Sequence, residues 1–135
     1  IKARNSKGDT ALTFAGERDK QDIVRLLLSS GSSLDEQNRD GRNLLMMTAE
    51  RADKEFLKFL LASRPQMNLA DNAGRTALMY AAARGHKDNA KLILSAGADA
   101  AQTDKGGKTA YDIAQQNRHD DTARAVKPKK AKEKN

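Results

Sequence analysis

The sequence predicts an all-α solenoid of about four helix-turn-helix repeats joined by β-hairpin-type loops. Three observations carry this prediction: a fixed period, turn chemistry at the start of each period, and two helical patterns within it. A period of 20 to 50 residues indicates a stack of similar units. Here the period is 33 residues, marked by the turn glycines Gly8, Gly41, Gly74 and Gly107.

Each unit opens with the chemistry of a turn followed by a helix start. An Asn or Asp stands three residues before each glycine, where its side chain bonds the backbone of its own turn while the glycine accepts positive φ. A residue that caps helices follows two positions after each glycine. We therefore predict that the first helices are capped by Thr10, Asn43, Thr76 and Thr109.

The second helix of each unit is predicted from apolar residues at helical spacing. Residues 23–28 in unit one and 56–61 in unit two show this spacing. The helix is expected to end at Gly31 and Gly97, in the left-handed conformation that glycine favours after a helix. One helix pair cannot cover its own apolar face, so neighbouring units must stack.

Unit three resembles the ankyrin repeat. The resemblance extends over roughly residues 1–126 and rests on about a dozen positions per unit. It implies an ankyrin-like solenoid that binds a partner protein and is not an enzyme. The matching positions are Asp71, Gly74, Thr76-Ala77-Leu78, Ala81-Ala82, Gly85-His86, Leu92-Ile93-Leu94 and Gly97-Ala98-Asp99.

The same register predicts the organisation of the chain. Residues 1–126 form a single repeat domain, in which residues 1–4 match the tail of a preceding repeat. Residues 104–126 resemble a capping repeat with a polar outer face. Residues 127–135 hold five lysines and one glutamate without apolar residues to bury, so a disordered tail is expected.

Unit two departs most from the family pattern. Thr48 replaces the first alanine, and Ala52 replaces the usual glycine before the second helix. Arg64 stands where units one and three have a glycine after that helix. A non-glycine residue at positive φ costs about 1 kcal/mol, so this helix is predicted to end by a different geometry, aided by Pro65.

Composition and motifs exclude several classes of function. The chain of 135 residues lacks cysteine, which excludes disulfides and cysteine metal sites, and it has no apolar run of the length that a membrane helix needs. Gly107-Lys108-Thr109 resembles a nucleotide-binding loop, but that loop requires a glycine where Gln102 stands. His86 and His119 are predicted to be structural. No cofactor, metal or small-molecule substrate is predicted.

The resemblance implies a binding groove formed by the hairpin tips and the exposed face of the first helices. Two ladders of basic residues at 33-residue spacing suggest an acidic patch on the partner, because arginine suits carboxylates. Phe14, Met47 and Tyr80 are expected in the core, whereas Met46 and Met79 are expected to be partly exposed. The predicted partner-binding residues are Arg18, Arg39, Arg42, Met46, Arg51, Arg75, Met79, Arg84, Lys105 and Lys108.

We therefore predict a monomeric protein-binding module that regulates, inhibits or sequesters its partner. Short bacterial ankyrin-like proteins that are exported and hold an enzyme provide the analogy, and a chain without cysteine is compatible with a periplasmic location. A cytoplasmic location is the alternative. The net charge of +7 also keeps a nucleic-acid-associated or nuclear regulator open as a second function.

Overall fold

The computed structural model describes residues 3–128, which contain eight α-helices and no β-strand. The helices form four consecutive pairs, one pair per 33-residue unit, and this confirms the predicted all-α solenoid. Their bounds are α1 Ala11–Glu17, α2 Gln21–Ser29, α3 Leu44–Ala49, α4 Lys54–Leu61, α5 Ala77–Arg84, α6 Lys87–Ser95, α7 Ala110–Gln116 and α8 Asp120–Val126.

The turn that opens each unit is held by its Asn or Asp, as the sequence predicts. In unit three, Asp71 Oδ1 accepts hydrogen bonds from the backbone N–H groups of Ala73 and Arg75, both at 2.9 Å. Asn5, Asn38 and Asp104 accept the equivalent pairs of bonds. One short polar side chain per unit therefore closes each hairpin.

The hairpins of units two, three and four stack through their backbones. The Asn72 N–H group donates to the Asp40 carbonyl at 2.9 Å, and the Lys105 N–H group donates to the Ala73 carbonyl at 3.0 Å. This approach requires glycine, since a Cβ at Gly74, whose φ is 80°, would lie 2.7 Å from the backbone nitrogen of Lys105. The hairpins thus form one continuous edge along the stack.

The four predicted N-caps are confirmed. The Asn43 Oδ1 atom accepts from the Met46 N–H group at 2.9 Å, and the three threonine hydroxyls accept the corresponding bonds in α1, α5 and α7. Because the caps fix where the first helices begin, they also fix which side chains face the hairpins.

The second helices of units one to three each end at a residue with positive φ, so the expectation that Arg64 avoids this conformation is wrong. Unit two still differs in one bond, because Pro65 lacks the N–H group that Ser32 and Ala98 donate to Leu27 and Ile93 in units one and three. Gly31 and Gly97 have φ values of 106° and 108°, as expected, but Arg64 is also left-handed, with φ 54°. The N–H groups of Gly31, Arg64 and Gly97 donate to equivalent carbonyls three residues earlier, at 3.2, 3.0 and 3.0 Å. The turn that closes the repeat therefore holds Arg64 at positive φ, although residues other than glycine disfavour this conformation.

The core consists of two apolar clusters. One joins units one and two around Leu12, Val24 and Phe56, and the other extends through units two to four around Leu57, Leu78 and Ile93. Within residues 3–128, no helix is long and apolar enough to cross a membrane.

The prediction that Phe14 lies in the core is wrong, because this residue is 42% exposed. Met47, at the same register position in unit two, is 2% exposed as expected, and Tyr80 is partly buried against the larger cluster. Tyr80 is covered from the preceding unit, since the Arg42 guanidinium lies 4.8 Å from its ring centroid. Phe14, in the first unit, has no preceding helix pair within the described residues.

Three predictions fall wholly or partly outside the described residues. Two of them begin at residue 1, and residues 1 and 2 are not described: the tail of a preceding repeat at residues 1–4 and the repeat domain at residues 1–126. The third is the lysine-rich tail at residues 127–135, of which residues 129–135 are not described. At the described end, Lys127 is extended and its Nζ atom lies 5.6 Å from the centroid of the Tyr111 ring.

Candidate partner-binding groove

The first helices and the hairpin tips border a common groove. At its N-terminal end, α1 and the tips of units one and two enclose an open cavity of about 550 Å³. Arg18, Arg39 and the Phe14 ring line this cavity. The remaining predicted charged residues follow in units two to four.

Met46 and Met79 do not reach the groove surface. Their side chains are 0% and 1% exposed, and both belong to the apolar cluster that joins units two to four. The prediction that they are partly exposed is wrong, because their helix positions face the neighbouring helices rather than the hairpins. A buried side chain presents nothing to a partner, so we exclude both from the proposed surface.

Arg42 is the centre of an ion-pair network. Its guanidinium donates to Glu50, lies 4.0 Å from a carboxylate oxygen of Glu17, and stacks on the Tyr80 ring. Arg84 reaches the other carboxylate oxygen of Glu50 at 3.5 Å. The positive charge of Arg42 is therefore neutralised by carboxylates of the chain itself.

The ionisation of this cluster follows from its surroundings. Burial opposes the charged form of Arg42, but the carboxylates of Glu50 and Glu17 outweigh it, so the pKa of Arg42 is raised. Burial and the hydrogen bond that the Tyr80 hydroxyl donates to Asp71 raise the pKa of Tyr80 to about 12. Arg42 is charged and Tyr80 is neutral at physiological pH.

Arg51 joins unit two to unit one. Its guanidinium donates to the carbonyls of Gly16 at 2.8 Å and Glu17 at 2.9 Å, at the end of α1. An oxygen of Asp19 lies 3.9 Å away. These bonds satisfy the last carbonyls of a helix, so they give Arg51 a structural role in this fold.

The basic residues of units three and four are more accessible. The side chain of Arg84 is 62% exposed and that of Arg75 is 42% exposed, with only a distant contact of 3.9 Å to Asp104. Lys105 is exposed and Lys108 half-buried, and neither forms an ion pair within the part of the chain that the structure describes. Here the groove presents cations to solvent.

The two basic residues of the N-terminal end are tied to their surroundings. The Arg18 guanidinium lies 4.5 Å from the centroid of the Phe14 ring. The Arg39 guanidinium donates to the Ser6 carbonyl at 2.7 Å, which links the hairpin of unit two to that of unit one.

Gly107-Lys108-Thr109 forms the fourth hairpin and helix cap. The Lys108 N–H group donates to Asp104 Oδ1 at 3.0 Å, and Thr109 caps α7. The backbone donor that a phosphate loop would direct at its ligand is thus used within the turn. His86 bonds the Glu50 carbonyl through Nε2 at 2.9 Å, and no group of three or more metal-ligating side chains forms among residues 3–128.

Sequence reasoning missed the acceptors that decide which arginines are accessible. Glu17 and Glu50 occupy one register position in units one and two, where unit three has Ala83. This difference between the units indicates which arginines are paired, because a carboxylate on the same groove face can accept hydrogen bonds from an arginine. The contact between Arg42 and Tyr80 crosses units and leaves no local pattern.

The register, the stacked hairpins and the helix pairs are those of one repeat family. A family model described as ankyrin repeats (3 copies) matches residues 1–71 and 45–135. The chain belongs to the ankyrin-repeat family. Ankyrin repeats are generally protein–protein interaction modules and are typically non-enzymatic. No curated protein matches the chain.

Proposed function

We propose that this ankyrin-repeat chain binds an acidic patch of a partner protein through the groove over units two to four. The observation that carries the proposal is the excess of accessible cations in units three and four. Arg75, Arg84, Lys105 and Lys108 face the groove or its tips there. The side chain of the nearby Asp104 is 8% exposed, because its carboxylate holds the turn.

The network around Arg42 supports this function indirectly. It joins α3 to the end of α5 through Glu50 and Arg84 and stacks on Tyr80, so it fixes the groove floor before a partner arrives. A surface that is ordered in advance loses less conformational entropy on binding. The proposed roles therefore differ: Arg42 and Arg51 order the groove, Arg75, Lys105 and Lys108 contact the partner, and Arg84 does both.

Since ankyrin repeats are typically non-enzymatic, we propose that binding acts on the partner by regulating, inhibiting or sequestering it. An exported bacterial enzyme is the partner class that the resemblance suggests. Enzyme assays on the captured partner, with and without the wild-type chain, test this part separately.

The test compares affinity capture of the partner protein by three forms of the chain: wild type, a groove variant and a control variant. Arg75→Gln/Arg84→Gln/Lys108→Gln removes three groove charges and places no new carboxylate beside Glu50 or Asp104. Lys20→Gln/Lys87→Gln/Lys91→Gln is the matched control, since these exposed lysines lie at the start of α2 and on α6, on the second-helix side of the stack. Both variants change the net charge equally.

The expected result is a protein that wild type and the control variant capture and the groove variant does not. Its purified form should bind the groove variant at least about tenfold more weakly. If the groove variant captures and binds that protein as well as wild type does, the proposal is wrong. Capture that nuclease treatment abolishes, with affinity falling steeply as salt rises, would instead favour the nucleic-acid alternative.

A further inference from the structure

Glu50 places a carboxylate in the groove at the junction between units two and three. One of its oxygens accepts from Arg42 and the other lies 3.5 Å from Arg84. The position follows from α3, since Arg42 directly precedes the N-cap of this short helix and Glu50 is its C-cap. An arginine side chain that extends along α3 therefore reaches the carboxylate.

The following units have no carboxylate at this register position. Ala83 and Gln116 occupy it in units three and four. The Arg75 side chain is 42% exposed, whereas that of Arg42, its equivalent in unit two, is 21% exposed. Asp104 lies 3.9 Å from Arg75, but its carboxylate is bound within its own turn. The charge that the groove presents to a partner thus changes at the boundary between units two and three.

Glu50 is held more firmly by Arg42 than by Arg84. Arg42 also lies 4.0 Å from Glu17 and stacks on the Tyr80 ring, so three groups fix its guanidinium. Among residues 3–128, the contact with Glu50 is the only ion pair of Arg84, whose side chain is largely exposed. A carboxylate of a partner can therefore take Arg84 from Glu50 while Glu50 stays on Arg42.

We propose that Glu50 sets the limit of the acidic segment that the groove accepts. Carboxylates of the partner bind Arg75, Arg84 and Lys108, and the negative charge of Glu50 excludes them from unit two. Repulsion built into a binding surface gives specificity in this way. The inference rests on the proposed function and adds where the acidic segment ends and which residue decides it.

The repeat spacing gives the length of the acidic segment. Packed helix pairs are separated by about 10 Å. An extended chain rises about 3.3 Å per residue, so each unit accommodates about three residues. An acidic segment confined to units three and four is therefore about six residues long, and the partner residues that face unit two are uncharged.

The probes are two synthetic peptides, hexaglutamate and decaglutamate, which are titrated against the full chain at low ionic strength, where charges are screened least. Extended hexaglutamate spans roughly 20 Å, enough for two units, and decaglutamate roughly 33 Å, enough for three. Variants are compared on the same peptide, because a longer peptide can be placed on the groove in more ways.

Glu50→Gln removes the charge and keeps an acceptor for Arg42. It should bind decaglutamate at least about threefold more tightly than wild type does, with a smaller gain for hexaglutamate, which has less need of unit two. Glu55→Gln is the matched control, since it makes the same charge change on α4, where Glu55 is exposed and pairs with Lys58. Its affinity for both peptides should equal that of wild type.

Ala83→Glu is the reciprocal change, because it gives unit three the carboxylate that unit two has. It should weaken the binding of both peptides at least about fivefold by neutralising Arg75. Lys91→Gln, at an exposed position on α6, lowers the net charge equally and should bind as wild type does. Since Ala83→Glu leaves the network of Arg42 intact, it tests the proposal even if Glu50→Gln does not fold.

The outcomes separate this inference from the proposed function. If Ala83→Glu binds as wild type does, or Glu50→Gln and Glu55→Gln bind alike, while Arg75→Gln/Arg84→Gln/Lys108→Gln still loses affinity, Glu50 does not limit the segment and the basic groove stands. Peptides that bind this triple variant as tightly as wild type contradict both proposals. Wild type that binds neither peptide measurably also counts against both.

Discussion

Units two and three place arginines at the same two register positions and use them differently. In unit two, Arg42 is held by Glu50 and Tyr80 and Arg51 by the carbonyls that end α1. In unit three, the Arg75 and Arg84 side chains are 42% and 62% exposed. Arg42 and Arg51 each have several acceptors from units one and two, whereas Arg75 and Arg84 each contact one carboxylate, at 3.9 and 3.5 Å. A ladder of like residues therefore does not by itself define a binding surface.

The largest loss of stability is expected when the ion-pair network of unit two is broken. Arg42→Glu places a carboxylate beside Glu50 and Glu17 in a half-buried site and should lower the free energy of unfolding by about 3 kcal/mol. Arg75→Glu, at the equivalent position, should cost less than about 1 kcal/mol, since exposed pairs contribute little. Urea denaturation of both variants checks this, and equal losses would show that the two positions do not differ.

The next prediction concerns the turn between the two helices of a unit. Gly85 has φ 70°, and a Cβ there would lie 2.5 Å from the His119 ring, so Gly85→Ala should cost about 2 kcal/mol. Ala52 occupies this position in unit two without positive φ. Ala52→Gly should therefore cost less than about 1 kcal/mol. The comparison fails if thermal unfolding shows both substitutions to be equally harmful.

A substitution at Arg64, the left-handed residue after α4, is expected to raise stability rather than lower it. Arg64→Gly should stabilise the fold by about 1 kcal/mol, because glycine accepts the observed φ of 54°. The reciprocal change is Gly97→Arg in unit three. A Cβ at Gly97 meets nothing within 4 Å, so this variant isolates the backbone strain. It should cost at least as much, because the φ of 108° at Gly97 lies farther from the left-handed region that side chains can adopt. A destabilised Arg64→Gly variant would contradict the strain.

Units two and three also differ in one buried hydroxyl group, with a smaller expected effect on stability. Thr48 Oγ1 has no hydrogen-bond partner, where unit three has Ala81. Thr48→Val keeps the volume and should stabilise the fold by about 0.5 to 1 kcal/mol. Thr13 is the control, because its hydroxyl bonds the backbone of Thr10 at 2.9 Å, so Thr13→Val should destabilise. Stability that falls in both variants would refute the difference.

The hydrogen bond from Tyr80 to Asp71 predicts a pH dependence. The pKa of Tyr80 is about 12 in the folded chain and about 10 when unfolded, so the stability it contributes is complete below pH 10 and is lost as pH rises towards 12. The stability deficit of Tyr80→Phe should therefore shrink over this range. A deficit that stays constant from pH 9 to 11.5 would show that the bond does not control this ionisation.

Most of the architecture could be predicted because each unit repeats the same local chemistry. Asn or Asp in the turn, a threonine or asparagine cap and a terminal glycine act within a few residues, so their positions determine hairpin and helix boundaries. Arg64 was mispredicted because stacking, which is not local, fixes the turn that it occupies.

The groove could be predicted only in part. The register brings Arg75 and Arg84 to its surface, but it does not reveal that Glu50 lies between Arg42 and Arg84. Burial of Met46 and exposure of Phe14 depend on whether a neighbouring unit covers the position. A periodic sequence repeats positions, whereas burial and ion pairing depend on the neighbours of each position.

We propose that one register position orders the fold in unit two and contacts the partner in unit three. The most direct measurement titrates the purified captured partner against Arg42→Gln and Arg75→Gln and follows urea denaturation of the same two variants. We expect that Arg42→Gln loses unfolding free energy and, while folded, keeps most of its affinity, whereas Arg75→Gln keeps stability and loses affinity. The opposite assignment, or equal loss of both properties in both variants, would contradict it.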